Sequence, residues 1–129
     1  MQQKMEMDPL VSSAFQLKPR HEDDKLIVSF SGNGDMSAVE ALGRFLKRVH
    51  SEATDLGVSE VAFDFSDLYF MNSSCFKAFV TWIDVVSRTT AKAYTIRFLT
   101  NPRLHWQRRS LDALRCLAPN VVRVEALAG

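Results

Sequence analysis

Residues 64–74 read Asp-Phe-Ser-Asp-Leu-Tyr-Phe-Met-Asn-Ser-Ser and join a strand pattern to a helix pattern. Just before and into this stretch, Val61, Phe63 and Phe65 alternate with other residues and form one face of a strand. After it, apolar residues continue at helical spacing to about Arg88. The two serines therefore open a helix, a position where a hydroxyl can cap the helix, hold an anion or carry a phosphate.

The rest of the chain alternates between strands and helices in the same way. A capping box of Ser37 and Glu40 predicts the start of the first helix, and Gly57 predicts its end. Asn101 followed by Pro102 predicts the start of the third helix. The predicted elements are strands at Ala14–Lys18 and Lys25–Ser31, a helix from Ser37 to about Gly57, a strand at Glu60–Phe65, a helix from Ser73 or Ser74 to about Arg88, a strand at Ala93–Leu99, a helix from Asn101 to about Leu117, and a strand at Val121–Ala126.

This order, β-β-α-β-α-β-α-β, predicts an α/β fold with a mixed sheet. The initial hairpin makes the first pair antiparallel, and the helical crossovers make the later pairs parallel. We expect residues 1–12 to form a flexible lead and residues 13–129 to form one domain. Pro19 is expected to end the first strand, and residues 32–35, Gly-Asn-Gly-Asp, to form a turn.

Composition limits the classes of function. The chain has 129 residues, of which 47% are hydrophobic and 24% charged, with a formal net charge of +1. These values are typical of a globular domain and exclude a globally basic nucleic-acid binder. No apolar run approaches the roughly 20 residues of a membrane span, and the N-terminus lacks the apolar stretch of a secretory signal. Cys75 and Cys116 are too few for a disulfide framework, although one bridge between them is an alternative, so we expect a reduced, cytoplasmic protein.

Motifs for catalysis, metals and cofactors are weak. Cys75 lies in the first turn of the second helix, where a thiol pKa can fall, but no base accompanies it, so a small buried residue is the favoured interpretation. Cys116, between leucines, is expected in the core. The three histidines lack metal-ligand spacing, and residues 32–34 lack the lysine of a phosphate-binding loop. We therefore expect no enzyme activity, no metal and no cofactor.

The third predicted helix is rich in basic residues. A basic helix can bind an anion or nucleic acid, but here no aromatic stacking platform accompanies it. The favoured interpretation is a solvated helix face, so we predict no nucleic-acid partner. Trp106 is a candidate exposed anchor for a protein partner. The basic residues of this helix are Arg103, His105, Arg108, Arg109 and Arg115.

Taken together, these patterns resemble the STAS family, named for sulfate transporters and anti-sigma factor antagonists. The resemblance rests first on residues 64–74, which are similar to the family's strand, Asp-Leu-Ser and Phe-Met-Asp-Ser-Ser-Gly-Leu-Gly signature. Residues 28–32, Val-Ser-Phe-Ser-Gly, look like the family's second strand and turn, and Asn101-Pro102 looks like its last strand-to-helix loop. The order of elements is similar from about residue 14 to residue 127.

The resemblance implies a bacterial signalling regulator of the anti-sigma factor antagonist type. Such proteins bind a serine kinase that is also an anti-sigma factor, and the kinase phosphorylates the first serine of the pair. A PP2C-type phosphatase reverses the modification. Carried over, the phosphorylated residue is Ser73, with Ser74 as the alternative. The implied partner-binding residues are Asn33, Gly34, Asp35, Met36, Asn72, Ser73, Ser74, Cys75 and Lys77.

Two departures from the family pattern keep other functions open. Asn72 stands where the family has aspartate, and Cys75-Phe76-Lys77 replaces Gly-Leu-Gly. The first change removes a negative charge beside the serine, and the second alters the shape of the docking surface. An asparagine before the serine pair resembles the pattern of a divergent, phospho-regulated STAS-like subgroup, whose members bind and activate signalling enzymes such as cyclases. A further alternative is a STAS domain that binds a small anion or nucleotide, or one that is an accessory to a transporter. Sequence leaves the oligomeric state open.

Overall fold

The computed structural model describes residues 7–89 and 94–127, which form one sheet and three α-helices. Within these residues the strands are β1 (Leu10–Val11), β2 (Phe15–Glu22), β3 (Lys25–Gly34), β4 (Glu60–Asp64), β5 (Leu68–Met71), β6 (Thr95–Thr100) and β7 (Val122–Ala126). The helices are α1 (Val39–Leu56), α2 (Ser73–Arg88) and α3 (His105–Leu117), and a short 3-10 helix, Met36–Ala38, precedes α1.

The sheet is mixed, as the sequence predicts. Its strand order is β1-β2-β3-β4-β6-β7, with β5 paired to β3 beyond the end of β4. The β1/β2 and β2/β3 pairs are antiparallel, and the pairs among β3, β4, β6 and β7 are parallel. Since crossovers between parallel strands are right-handed and the order never reverses, α1, α2 and α3 cover the same face. The predicted α/β fold is confirmed.

Alternate strand residues and the inner helix faces build the core. A group of phenylalanines at its centre is fully buried: Phe30, Phe63, Phe65, Phe79 and Phe98. Phe63 on β4 meets Phe79 on α2 edge-to-face, with ring centroids 5.2 Å apart. Such pairs add about 0.5–1.5 kcal/mol to the burial of the rings. This contact fixes α2, and hence the serine pair at its start, against the middle of the sheet.

The N-terminal strands differ from the sequence prediction. In the predicted lead, residues 1–6 lie outside the described part of the chain, whereas Leu10 and Val11 pair with β2 and Met7 is buried. The prediction that Pro19 ends the first strand was wrong, because β2 runs on to Glu22. Among the described residues, β1 pairs only with Gln16 and Leu17, so no described strand pairs with that edge of β2 at Pro19, and proline is tolerated there.

The predicted turn at residues 32–35 is largely strand. β3 continues through Gly34 because β5, which the sequence did not reveal, pairs with its last residues. Gly32 has φ +90° at the point where the register shifts, and a Cβ there would collide with the carbonyl oxygen of Ala14. Glycine is therefore required at this bulge.

Two helix starts also differ from the sequence prediction. Ser37 does not cap α1, because residues 36–38 form a 3-10 helix and Ala38 is the N-cap of α1. Asp35 caps the 3-10 helix: its carboxylate accepts from the Ser37 N–H at 3.0 Å. The third helix begins at His105, since the side chain of Asn101 is used in a loop instead. The other helix ends are confirmed: Gly57 ends α1 in the left-handed conformation, and α2 and α3 end at Arg88 and Leu117. The predicted strand start at Ala93 lies outside the described residues.

None of the helices in residues 7–89 and 94–127 is long and apolar enough to cross a membrane.

Candidate functional site

The end of β3 and the start of α2 meet at one edge of the sheet. The backbone N–H of Asn72 donates to the carbonyl of Gly34 at 2.7 Å. The Cys75 thiol lies 3.5 Å from the same carbonyl and 3.6 Å from that of Asp35. The structure thus brings together the two segments, residues 33–36 and 72–77, that the sequence predicts to bind a partner.

Asn72 is the N-cap of α2. Its backbone is extended, with φ −64° and ψ 151°, and its side-chain oxygen accepts from the Ser74 N–H at 2.7 Å. Asparagine and aspartate cap helices about equally well. The departure from the family pattern at this position therefore preserves the cap while removing a negative charge beside Ser73.

The predicted partner-binding residues differ in exposure. Asn33, Met36, Ser73 and Lys77 are exposed, Asp35, Asn72 and Ser74 are half-buried, and Gly34 and Cys75 are buried. Ser73 occupies the first helical position, where the backbone amides and the helix dipole favour negative charge. An exposed hydroxyl at this position is accessible to another protein.

Gly34 and Cys75 shape this surface from beneath. A Cβ on Gly34 would lie 3.2 Å from Phe30 Cζ and 3.7 Å from Cys75 Sγ, so residue 34 has little room for a side chain. Neither residue is placed to touch a partner directly. Burial, reinforced by the Asp35 carboxylate, raises the pKa of the Cys75 thiol above its usual value. The interpretation of Cys75 as a small buried residue is confirmed, and its environment is the opposite of that of an activated thiol.

Exposed apolar side chains lie in the two segments that lead to Ser73 and to α1. Met36 is 65% exposed, Tyr69 58% and Phe70 48%. Sequence alternation along β5 would bury Phe70 with Leu68, and it offered no signal that both aromatic residues face outward. Aromatic and methionine side chains are enriched where proteins bind each other. We call Met36, Tyr69, Phe70 and Ser73 the switch patch.

A buried glutamine holds the loop that carries β5. Gln107 on α3 is fully buried, and its amide nitrogen donates to the carbonyls of Phe65 at 2.7 Å and Leu68 at 2.9 Å. Its oxygen accepts from the Asn101 N–H at 2.8 Å, and the Asn101 side chain donates to the Ser66 carbonyl at 2.9 Å. Gln107 sits among arginines in the sequence, and only the fold reveals its role.

The remaining candidates from the sequence lie away from this site. Trp106 is half-buried against the core, so it is not the exposed anchor that was predicted. The prediction that Cys116 lies in the core was wrong, because Cys116 is exposed. The last turn of α3 points outward here, and Leu117 is 56% exposed. Among the residues described, no cluster of histidine, cysteine, aspartate or glutamate could hold a metal ion.

A surface trough begins beside the serine pair. It runs between α1 and α2 and has a volume of about 560 Å³. Ser74 and Lys77 line one end, and His50 and Val85 line the other. Its walls are mainly apolar. Periodicity predicted both helices, but not the space between their outer faces.

Comparisons with known proteins identify the fold. No protein-family model matches the sequence, and no curated protein is significantly similar to it. The structure is similar to the crystal structure of an anti-sigma factor antagonist from Mycobacterium paratuberculosis, with a TM-score of 0.65 and 16% sequence identity over 90% of each chain. The chain has a STAS-like fold.

A second solved structure shares this STAS-like fold. It is the crystal structure of diguanylate cyclase SiaD in complex with its activator SiaC from Pseudomonas aeruginosa, and the matching chain is that of SiaC. The TM-score is 0.68 and the sequence identity is 15%, over 94% of this chain and 100% of that chain. The structural similarity therefore covers nearly all of the chain, and the resemblance first drawn from residues 64–74 extends to the three-dimensional structure.

Proposed function

We propose that this STAS-like domain is a bacterial signalling regulator, not an enzyme, which acts in the cytoplasm by binding another signalling protein through the switch patch. The leading partner is a serine kinase that also serves as an anti-sigma factor. The observation that carries the proposal is the position of Ser73, exposed at the first residue of α2, directly after the strand that carries the exposed Tyr69 and Phe70. The exposed and half-buried members of residues 33–36 and 72–77 form the proposed contact surface, and Gly34 and Cys75 pack beneath it.

Reversible phosphorylation of Ser73 is the proposed switch. A phosphate adds about −1.5 to −2 charges, which the N-terminus of α2 tolerates because of its amides and dipole. The same charge is costly inside a contact with Met36, Tyr69 and Phe70, from which water is excluded. Phosphorylation would thus release the partner without unfolding the domain.

The geometry favours Ser73 over Ser74 as the acceptor. Ser73 is exposed, whereas Ser74 is half-buried and its N–H is bonded to the Asn72 side chain. A kinase active site must surround the hydroxyl that it modifies, so the exposed residue is the more accessible substrate.

A signalling enzyme such as a cyclase is the second candidate partner. Its support is the similarity to a chain in the SiaD–SiaC complex at a TM-score of 0.68, together with Asn72 in place of aspartate. Under this alternative the domain would activate the enzyme when it is unphosphorylated, through the same patch.

Phosphorylation is tested with the purified full chain, ATP and the serine kinase encoded nearest to its gene. Intact mass should rise by one phosphate, Ser73→Ala should abolish the increase, and Ser74→Ala should retain it. A PP2C-type phosphatase should then reverse the modification. Persistence of the mass increase in Ser73→Ala would reject Ser73 as the acceptor. Stimulation of a purified diguanylate cyclase by the unmodified chain would favour the second candidate.

A further inference from the structure

The trough between α1 and α2 has the length of a docked helix. It runs from Val39 to Ser51 along α1 and from Ser74 to Val85 along α2. At 1.5 Å per residue these spans measure about 16–18 Å, or about three helical turns. An open channel of this length between two helices suits a third helix better than a compact small molecule.

The floor of the trough is apolar and preformed. Val85 is 45% exposed, Val39 and Ala78 are half-buried, and Leu46 and Trp82 are buried at the base of the trough. The Trp82 indole N–H donates to the Tyr94 hydroxyl at 3.0 Å, which fixes one part of the floor.

The far end of the trough is also held in place. His50 Nδ1 lies 2.7 Å from the Tyr94 hydroxyl, so both aromatic rings that border this end are anchored to one buried tyrosine. A fixed surface loses little conformational entropy when a partner binds.

Gly43 leaves the middle of the trough open. It lies inside α1, where glycine costs about 0.5–1 kcal/mol relative to alanine. Nothing lies within 4 Å of a Cβ built on this residue, so internal packing does not require glycine here. The missing side chain does allow another backbone to approach closely.

The charged residues that line the trough are both positive. Lys47 and Lys77 both line it and are exposed, and no acidic side chain is among its lining residues. Neither lysine makes an ion pair with another described residue, whereas the nearby acids Glu40 and Asp84 are paired with Arg44 and Arg88.

We propose that this trough is a second docking surface, which binds an amphipathic helix with acidic flanks from a partner protein. The apolar face of such a helix would cover Val39, Ala78 and Val85, and its acids would meet Lys47 and Lys77. A membrane is excluded as the occupant because a flat bilayer does not fill a concave channel. A second copy of the chain is disfavoured because α1, α2 and α3 carry no excess of acidic residues.

The test uses the isotopically labelled full chain and two synthetic peptides of about 18 residues. Both carry leucines on one helical face; one has glutamates on its flanks, and the other has lysines. The glutamate peptide should shift amide NMR signals of residues 39–51 and 74–85. It should bind the wild type more tightly than the lysine peptide does.

Variants show whether the trough causes that binding. The double variant Lys47→Glu, Lys77→Glu should bind the glutamate peptide with about tenfold lower affinity and the lysine peptide with higher affinity. The exposed lysine of β2 supplies the matched control, since Lys18→Glu should leave both affinities unchanged. Gly43→Leu should block the trough and abolish binding of the glutamate peptide. Urea unfolding of this variant is the control, and it should show that the domain remains folded.

Three results would overturn the proposal. The first is that millimolar peptide shifts amide signals only outside the trough or shifts none at all. The second is equal affinity for the two peptides, and the third is a shift of the trough signals with protein concentration alone. The last would indicate self-association.

One further arm rests on the proposed phospho-switch. Phosphoserine incorporated at residue 74, which lines the trough, should lower the affinity for the glutamate peptide more than phosphoserine at residue 73 does. Equal effects would contradict direct repulsion inside the trough. If Ser73 is never phosphorylated by its kinase but the charge reversals behave as stated, the switch fails and the docking surface stands.

Discussion

The amide nitrogen of Gln107 donates a hydrogen bond to the backbone carbonyl of Leu68 at 2.9 Å. It donates a second bond to Phe65, and its oxygen accepts one from Asn101. One side chain of α3 therefore binds the backbone of the segment between β4 and β5 and that of the loop between β6 and α3. The patch rests on a fixed loop although β5 is only four residues long.

Gln107→Leu should strongly destabilise the domain. Leucine fills a similar volume but removes the side-chain partner of the Leu68 carbonyl and of the Asn101 N–H, while the Phe65 carbonyl keeps its bond from the Leu68 N–H. The loss should lower the free energy of unfolding by about 2–4 kcal/mol. Equilibrium unfolding in urea measures the loss. Arg109→Leu, on an exposed turn of the same helix, is the control and should stay within about 0.5 kcal/mol of the wild type. Equal effects of the two substitutions would show that the hydrogen bonds of Gln107 contribute little.

Tyr94 should make stability depend on alkaline pH. Burial raises the pKa of this phenol above its usual value near 10, only partly offset by the Trp82 hydrogen bond. Its neutral form is therefore favoured in the native state. Above about pH 10 the unfolded chain releases the proton while the folded chain keeps it, so the free energy of unfolding should fall as pH rises.

Tyr94→Phe isolates this contribution. It leaves the Trp82 N–H without its acceptor and should cost about 1–3 kcal/mol at pH 8. The difference between wild type and variant should shrink between pH 9 and pH 11. Urea unfolding at several pH values measures it, and a constant difference across that range would contradict the raised pKa of Tyr94.

Substitutions at Asn72 should separate capping from charge. Asn72→Ala removes the acceptor for the Ser74 N–H and should lower the free energy of unfolding by about 1 kcal/mol. Asn72→Asp keeps the cap and adds a negative charge at the positive end of α2, so it should be neutral or stabilising by up to about 1 kcal/mol. Thermal or urea unfolding ranks the three proteins, and a loss in Asn72→Asp equal to that in Asn72→Ala would argue against the cap.

The two cysteines should react at very different rates. Cys116 is exposed, whereas Cys75 is fully buried and its pKa is raised, so it holds little thiolate at neutral pH. Iodoacetamide at pH 8 should label Cys116 first and Cys75 only after unfolding, as peptide mass mapping would show. Rapid labelling of Cys75 in the folded protein would contradict its burial and reopen the possibility of an activated thiol.

The sequence by itself determined the order of most elements, because their signals are local. Alternation along residues 60–65 predicts β4, apolar spacing predicts α2 up to Arg88, and Gly57 predicts the end of α1. The hairpin and crossovers then predict a mixed sheet. The serine pair at the start of α2 was visible for the same reason, since a helix N-terminus is set by its own residues.

Only the tertiary structure decided the features that depend on distant contacts. β5 is a strand because β3 offers it an edge, and Gln107 is buried because two loops turn their backbone groups toward it. Tyr69 and Phe70 on β5 are exposed although their sequence favours burial. The trough between α1 and α2 exists because these helices pack on one face of the sheet and leave their outer sides uncovered. Local sequence specifies which backbone conformation a segment prefers, but the packing of the whole chain specifies which surfaces remain available to a partner.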